Sequence, residues 1–434
     1  MKKAIVFFLL LNMIAVVFVG CSNATTPDDQ ISPDSKPASI TVVTMYGGDD
    51  GNRKYFETAI NDFQASTGHT IVDQSGTSNE EWKSKVLADF QTGAEPDVLF
   101  YFFGVDANPF VEAGRVVSVD EIRTVYPDYA SNMKDELLGI SPIDGKPYAI
   151  PVDGYWESLF VNKKVLAACG VAVPGANYTW DQFLADCETI KANGYTPIAC
   201  SLQQVPHYWF EFAVYNNLNN IEHHLNLPGS VNDVIGKAWI AGLNDIKALY
   251  EAGYFPRNTL TATDDETCQL ILEDKAAFLI DGNWKIGFFE DNAGDRLDDF
   301  TVAYVPGKNN RKATDIIGGL SSGYFITKKA WDNPAKRDAC VKFVEFMTQD
   351  ELVSLFAAGG TSALKVATPV AEMSSLRTSA MQMSVGRTFA TGATQDRMIQ
   401  EARGDLFANI KNIATGSKTA ESALDDCIKL QNGR

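Results

Sequence analysis

Between Ser39 and Phe103 the hydrophobic pattern switches repeatedly between strict alternation and an i, i+4 repeat, and no other feature restricts the fold as much. Ser39-Ile40-Thr41-Val42-Val43-Thr44-Met45 is β-branched and alternating, and Tyr46-Gly47-Gly48-Asp49-Asp50-Gly51 breaks it. Phe56, Ile60 and Phe63 then fall on one helix face, with Gly68 as the stop. Thr70-Ile71-Val72-Asp73 reads as a second strand, and Trp82, Val86 and Phe90 mark a second helix closed by Gly93. Pro96-Asp97 leads into Val98-Leu99-Phe100-Tyr101-Phe102-Phe103, a short apolar run of the kind buried in a parallel sheet. This βαβ alternation predicts an α/β fold of mixed or parallel sheets flanked by helices.

Further on, Asp144-Gly145-Lys146-Pro147 marks a turn, and an extended segment continues through Glu157-Ser158-Leu159-Phe160-Val161-Asn162. A mostly helical stretch follows. Thr179-Trp180-Asp181-Gln182 has the spacing of a capping box. Asn333-Pro334 opens a helix whose apolar stripe is Ala339, Phe343 and Met347. Trp82, Trp180, Trp239 and Trp331 lie on helical patterns and read as packing residues. Roughly 400 residues are too many for a single core and suggest two lobes.

The N-terminus reads Met1-Lys2-Lys3, an apolar stretch from Ala4 to Gly20, then Cys21. A basic start, a short apolar core and small residues before the cut are the parts of a secretory signal. Phe18-Val19-Gly20-Cys21 resembles the bacterial lipobox, with Val19 where a smaller residue is usual, and implies lipid on Cys21. Ser22 to Ala38 is rich in Ser, Thr, Pro and Asp, has no apolar period, and reads as a flexible tether. No later segment is long and apolar enough to span a bilayer.

The formal net charge is −18, and it becomes −20 without the first twenty residues, which hold Lys2 and Lys3 and no acid. That excess argues against nucleic acid and anionic lipid as partners. Beyond Cys21 stand Cys169, Cys187, Cys200, Cys268, Cys340 and Cys427. Export permits disulfides, but the spacing selects no pairing, and buried thiols with one bridge among Cys169, Cys187 and Cys200 are as compatible as a full set. Neither a CxxC nor a Cys/His cluster points to a metal. Glu222-His223-His224 reads as a surface face and Asp264-Asp265-Glu266 as a solvated loop. The chain also lacks GxSxG, HExxH and GxxxxGK[ST] motifs.

A series of short motifs falls in one order: Val43 to Gly48, Gly93-Ala94-Glu95-Pro96-Asp97-Val98, and Gly145-Lys146-Pro147-Tyr148-Ala149-Ile150-Pro151. Leu159-Phe160-Val161-Asn162-Lys163, Thr179-Trp180-Asp181-Gln182-Phe183, Gly282-Asn283-Trp284 and Gly318-Gly319-Leu320-Ser321-Ser322-Gly323 follow. From about Ile40 to Asp426 the chain is similar to the extracellular solute-binding proteins of ABC importers, in the large sugar-binding family to which maltose-binding proteins belong. The resemblance implies the two-lobed periplasmic-binding-protein type II fold, with ligand held between lobes. It implies a signal at 1–20, a tether at 21–38, lobe 1 at 39–150 plus about 304–343, and lobe 2 at 151–303 plus about 344–434. Crossings are expected near Ala149–Asp153, near Phe300–Pro306 and around the Pro334 helix. The implied partners are a small carbohydrate and the membrane subunits of an ABC importer. The protein would be a monomer outside the cytoplasmic membrane, touching it only through lipid on Cys21, with no cofactor, metal or catalytic residue.

A sugar needs carboxylates and amides at its hydroxyl edge, because each buried hydroxyl must be paired, and flat rings against its C–H faces. By position, the resemblance assigns Tyr46, Gly47 and Asp49 after the first strand, and Tyr101, Phe103 and Asp106 after the Asp97 strand. Asp153, Tyr155 and Trp156 would line the first crossing. His207 and Trp209, with Tyr208, form an aromatic cluster, Asn283 and Trp284 follow an apolar run, and Gly319 and Ser321 close the site. A glycoside hydrolase using Asp153 with Asp106 or Asp49, or a surface adhesin, remains compatible with the residues alone.

Overall fold

The computed structural model describes residues 36–48, 50–357, 361–366, 368 and 373–433. The expected signal, Cys21 and Asp49 lie outside the described residues, as does most of the tether. Twelve strands are present among the described residues: β1 (Ser39–Val43), β2 (Thr70–Asp73), β3 (Val98–Phe102), β4 (Gly139–Ile140), β5 (Pro147–Ala149) and β6 (Tyr155–Asn162), then β7 (Thr196–Ile198), β8 (Ala276–Gly282), β9 (Phe300–Ala303), β10 (Asp315–Gly319), β11 (Ser322–Ile326) and β12 (Phe389–Thr391).

The first sheet has the order β11-β3-β1-β2. β1 runs parallel to both β2 and β3, as βαβ crossovers require, and β11 returns antiparallel to β3. The helices between them are Arg53–Thr67 and Glu80–Thr92, with Phe56, Phe63, Val86 and Phe90 buried and Gly68 and Gly93 as left-handed caps at φ 73° and 79°. Alternate residues of β1 enter different clusters. Ile40 and Val42 pack with Phe343 and Met347 of the helix Pro334–Met347, while Val43 packs with Trp82, Val86 and Tyr101. The sheet is therefore covered on both faces, which explains its continuous apolar strands.

The second sheet has the order β12-β10-β6-β8-β7, with β9 also pairing to β6. Leu159, Val161, Phe278 and Ile280 face a cluster containing Trp209, Trp239 and Phe407, and Trp156, Phe160 and Leu279 face the other side. The helix Trp180–Ala192 starts with the expected capping box, in which Thr179 and Gln182 bond reciprocally. The six cysteines from Cys169 to Cys427 are free thiols, five of them buried. Among the described residues no helix is long and apolar enough to cross a membrane.

Two crossings differ from expectation. β9 and β10 both belong to the second sheet, so the chain passes to the first between Gly319 and Ser322 rather than near Phe300–Pro306. The Pro334 helix packs wholly on the first sheet, as do Phe356 and Leu364, and the return falls between Leu364 and Leu376. A local apolar period reports that a strand is buried but not in which sheet.

Candidate functional site

The two sheets meet where four segments converge: the loop after β1, the segment before β6, the end of β8 and the start of the helix His207–Asn217. Tyr46 is buried among Phe56, Phe100 and Phe356, with ring centroids 4.9–5.5 Å away. Its hydroxyl donates to Asp153 Oδ1 at 3.3 Å. Gly47 lies against Gly76, whose backbone would stand 2.5 Å from any Cβ, so only glycine fits. Asp50 Oδ1 accepts from Asn52 N at 2.8 Å.

Asn283 holds the segment before β6 against the end of β8. Its amide donates to the Gly154 carbonyl at 3.0 Å, and its Oδ1 accepts from Trp156 N at 3.2 Å. The Tyr155 hydroxyl accepts from Ala393 N at 2.7 Å, and Tyr155 stands opposite Gly319 in the sheet. The Trp284 ring folds over Gly282, where a Cβ would be 2.2 Å from it, and rests 5.8 Å from the Tyr208 ring. Glu157 lies opposite Gly282 in the β6–β8 register, hence on the face covered by that ring. Glu157 is 2% exposed, and its Oε2 has no hydrogen-bond partner among the described residues.

On the helix His207–Asn217, His207 stacks on Phe407 at 5.5 Å. One turn on, the buried Glu211 carboxylate accepts from Thr394 N (2.9 Å), Gln395 N (2.7 Å) and His224 (3.0 Å). Those bonds position the turn that carries Asp396.

Burial dominates the electrostatics. It pushes the carboxyls of Asp50, Asp153, Asp281 and Asp396 up to about 7, and at Asp153 the nearby Asp50 charge adds to the rise. Burial pushes His207 down to about 3, so its ring is neutral. Lys285 lies 2.9 Å from Asp264 and 3.6 Å from Asp281. The donor atoms of Asp264, Cys268 and Asp281 are within 4.8 Å of one another, but that cluster already holds the protein's own cation. Asp264-Asp265-Glu266 is no loop: it forms the first turn of the helix Asp264–Leu272, capped by Thr263.

Of the expected residues, Tyr46 bonds to Asp153, with Gly47 beside it in the chain, Asn283 ties the segment before Tyr155 to the turn that carries Trp284, and Gly319 lies opposite Tyr155. His207 packs on Phe407 and Tyr208, and the Ser321 carbonyl accepts from Phe103 N at 2.9 Å. Other expected residues serve elsewhere. Tyr101 is buried against Trp82 and Phe110, and the Phe103 ring packs on Gly139. Trp156 belongs to the cluster behind the second sheet, on the opposite face from Tyr155. Trp209 is 2% exposed and packs on Phe183 and Phe255. Asp106 is 3.0 Å from both Lys83 and Arg403, and those cations hold its carboxyl below the usual range. His224, expected at the surface, is fully buried on Glu211.

Asp50, Glu157, Tyr208, Asp281, Lys285 and Asp396 complete the site. Two of them carried a readable signal, since Glu157 and Asp281 are acids inside otherwise buried strands. An acid there must be bonded to something or serve the ligand.

Gly51 and Gly287 touch through their backbones, and a Cβ on Gly287 would stand 2.3 Å from Gly51 Cα. Gly287→Ala should therefore keep the helix Lys285–Asn292, where alanine is the better helix former, and push the loop after β1 away. Small-angle scattering should show a larger radius of gyration than for the unchanged protein. An identical radius in both would sink this account.

The raised carboxyls also make stability depend on pH. The folded state binds their protons more tightly than the unfolded chain, so their contribution falls as pH rises from about 4 and is fully lost above about 7. Neutral His207 acts in the opposite sense between about 3 and 6.5, and His69, also lowered by burial, acts in that sense too, while Glu157 and Glu345, raised by burial, act with the four. Urea midpoints should be lower at pH 7.5 than at pH 5, with a smaller difference in Asp50→Asn/Asp153→Asn. A midpoint that rises with pH contradicts the assignment.

The model of the bacterial extracellular solute-binding protein family matches residues 49–353. An uncharacterized ABC transporter extracellular-binding protein of Pyrococcus horikoshii is 21% identical over 303 residues, covering 67% of this chain and 66% of that one. A putative binding protein of Brucella abortus is 25% identical over 142 residues, 32% of this chain and 33% of that one. The chain thus spans just under two thirds of the first relative and about one third of the second. Among solved structures, a chitin oligosaccharide binding protein superposes with a TM-score of 0.79 at 20% identity, covering 92% of this chain and 98% of that one. A maltose/maltodextrin-binding domain from Bdellovibrio bacteriovorus, bound to maltotriose, gives 0.70 at 18% identity, covering 91% and 99%. The shared architecture is the type II periplasmic-binding-protein fold.

Proposed function

The chain belongs to the bacterial extracellular solute-binding proteins, and on that premise we propose that it captures a sugar or oligosaccharide between two lobes and delivers it to an ABC importer. One lobe forms around each sheet. The observation that carries the reading is the Trp284–Tyr208 ring pair beside Asp50, Asp153 and Glu157, where flat apolar faces and hydroxyl acceptors stand together. A cavity of about 470 Å³ bordered by Val105, Pro142, Leu225 and Arg397 lies next to the Asp106 and Asp396 turns. In this reading the protein is monomeric and exported, and lipid on Cys21 anchors it outside the membrane. A tether of about 17 residues gives it a reach of roughly 20–25 Å.

A hydrolase would need one of its two carboxyls held as an acid. Asp153, pushed up to about 7, could be that acid, but its expected partner Asp106 is engaged at 3.0 Å by both Lys83 and Arg403 in a structural ion-pair cluster, so the binding reading is favoured.

A thermal-shift screen of mono- and oligosaccharides on the mature protein without lipid tests the reading, beginning with chitin and maltodextrin oligomers. A ligand at 100 times its dissociation constant should stabilise by about 2.7 kcal/mol. Release of reducing sugar would favour the hydrolase instead, and no shift with any sugar would remove the capture reading.

A further inference from the structure

Glu157 stands out among the buried acids. It is 2% exposed, and its Oε2 has no partner among the described residues. Tyr155 lies two residues earlier on the same strand face, the Trp284 ring covers Gly282 opposite, and Tyr208 pairs with that ring. Three aromatic side chains thus surround one carboxylate.

The neighbouring cations are engaged elsewhere. Lys285 pairs with Asp264 and Asp281, while Lys83 and Arg403 pair with Asp106 and Glu80. Burial keeps His207 neutral. With no cation partner among the described residues, burial and the nearby acids Glu211, Asp396 and Asp281 push the Glu157 carboxyl well above the usual carboxylate range, so it keeps its proton until a cation arrives. A neutral hydroxyl would leave it in that state. An ammonium supplies the missing positive charge, so the carboxyl can ionise and accept from it, and aromatic faces within about 6 Å of the ammonium add cation–π attraction.

We propose that the sugar bound here carries a protonated, unacylated amine, and that Glu157 is the carboxylate that receives it. The proposal rests on the sugar-capture reading and narrows its ligand class. Acylating the nitrogen would remove the charge and add bulk between the rings.

The test is calorimetric titration of the mature protein with pairs of sugars that differ only in carrying an amine or a hydroxyl at carbon 2, with the N-acetyl form as a third member. Glucose, galactose and mannose and their oligomers supply the panels. Within a pair that binds, the free amine should be at least tenfold tighter than the hydroxyl parent. Glu157→Gln should lose that preference and Glu157→Asp keep it. Equal or tighter binding of the hydroxyl parent overturns the proposal and leaves sugar capture standing. A preference that survives in a folded Glu157→Gln overturns the role of Glu157. Failure of every sugar in all panels removes this proposal together with the capture reading. The preference is read first in the unchanged protein, so a variant that does not fold leaves it decided.

Discussion

Replacing Trp284 with alanine should weaken sugar binding by about 30- to 1000-fold, the loss of about 2–4 kcal/mol expected for a central aromatic anchor. The ring folds onto Gly282, which has no side chain to displace it, and it is held at the end of β8 by the Asn283 bonds to Gly154 and Trp156. It is therefore placed before ligand arrives, and little of its stacking energy is lost to ordering. Trp284→Phe should recover part of the affinity, because a smaller flat face remains. Calorimetry with any sugar found by the thermal-shift screen measures both. A tenfold or smaller loss in a folded Trp284→Ala would move the platform elsewhere, with Tyr155 the first alternative. Trp209→Ala, by contrast, should lower stability by about 3–5 kcal/mol through the cavity it leaves in the core.

Arg403→Ala should destabilise the protein by about 3–5 kcal/mol, the cost of breaking a buried ion pair by removing one partner. Arg403 is fully buried on the helix Gln400–Ala414 and reaches across to Glu80 (3.1 Å) and Asp106 (3.0 Å) beside the first sheet. It also donates to the Gln395 carbonyl at 3.3 Å, so one guanidinium joins the Asp396 turn to both acids. Lys83, 3.0 Å from Asp106, would then be the one cation left on that carboxylate. Urea unfolding of the single variant and of Arg403→Ala/Asp106→Asn checks this. The double variant should regain part of the loss, since it no longer buries a half-paired charge. A single variant within 1 kcal/mol of the parent would show the contact to be too hydrated to matter.

The Glu157 proposal and the Arg403 prediction meet at one physical point. Arg403 is consumed by acids beside the first sheet and Lys285 by acids of the second, which leaves Glu157 without a cation among the described residues. Sequence position alone assigned Asp106 to the ligand and passed over Glu157, because both are simply acids near aromatic residues until their partners are known.

Much of the local structure was legible from the residue order. Alternation in Ser39–Met45, the Phe56–Phe63 and Trp82–Phe90 stripes, the Thr179 capping box and the Asn333-Pro334 start all correspond to observed elements, because each reports interactions within a few residues. The motif order pointed to the fold that the solved neighbours share. What only the tertiary structure decided were contacts between residues far apart in the chain: β10 in the second sheet, Trp209 turned into the core while Tyr208 meets Trp284, and His224 buried on Glu211. Adjacent residues on a helix differ by roughly 100° in direction, so which of His207, Tyr208 and Trp209 faces the site depends on how the helix is seated. That seating is set by packing against Phe183, Trp239 and Phe407, none of which is near it in sequence.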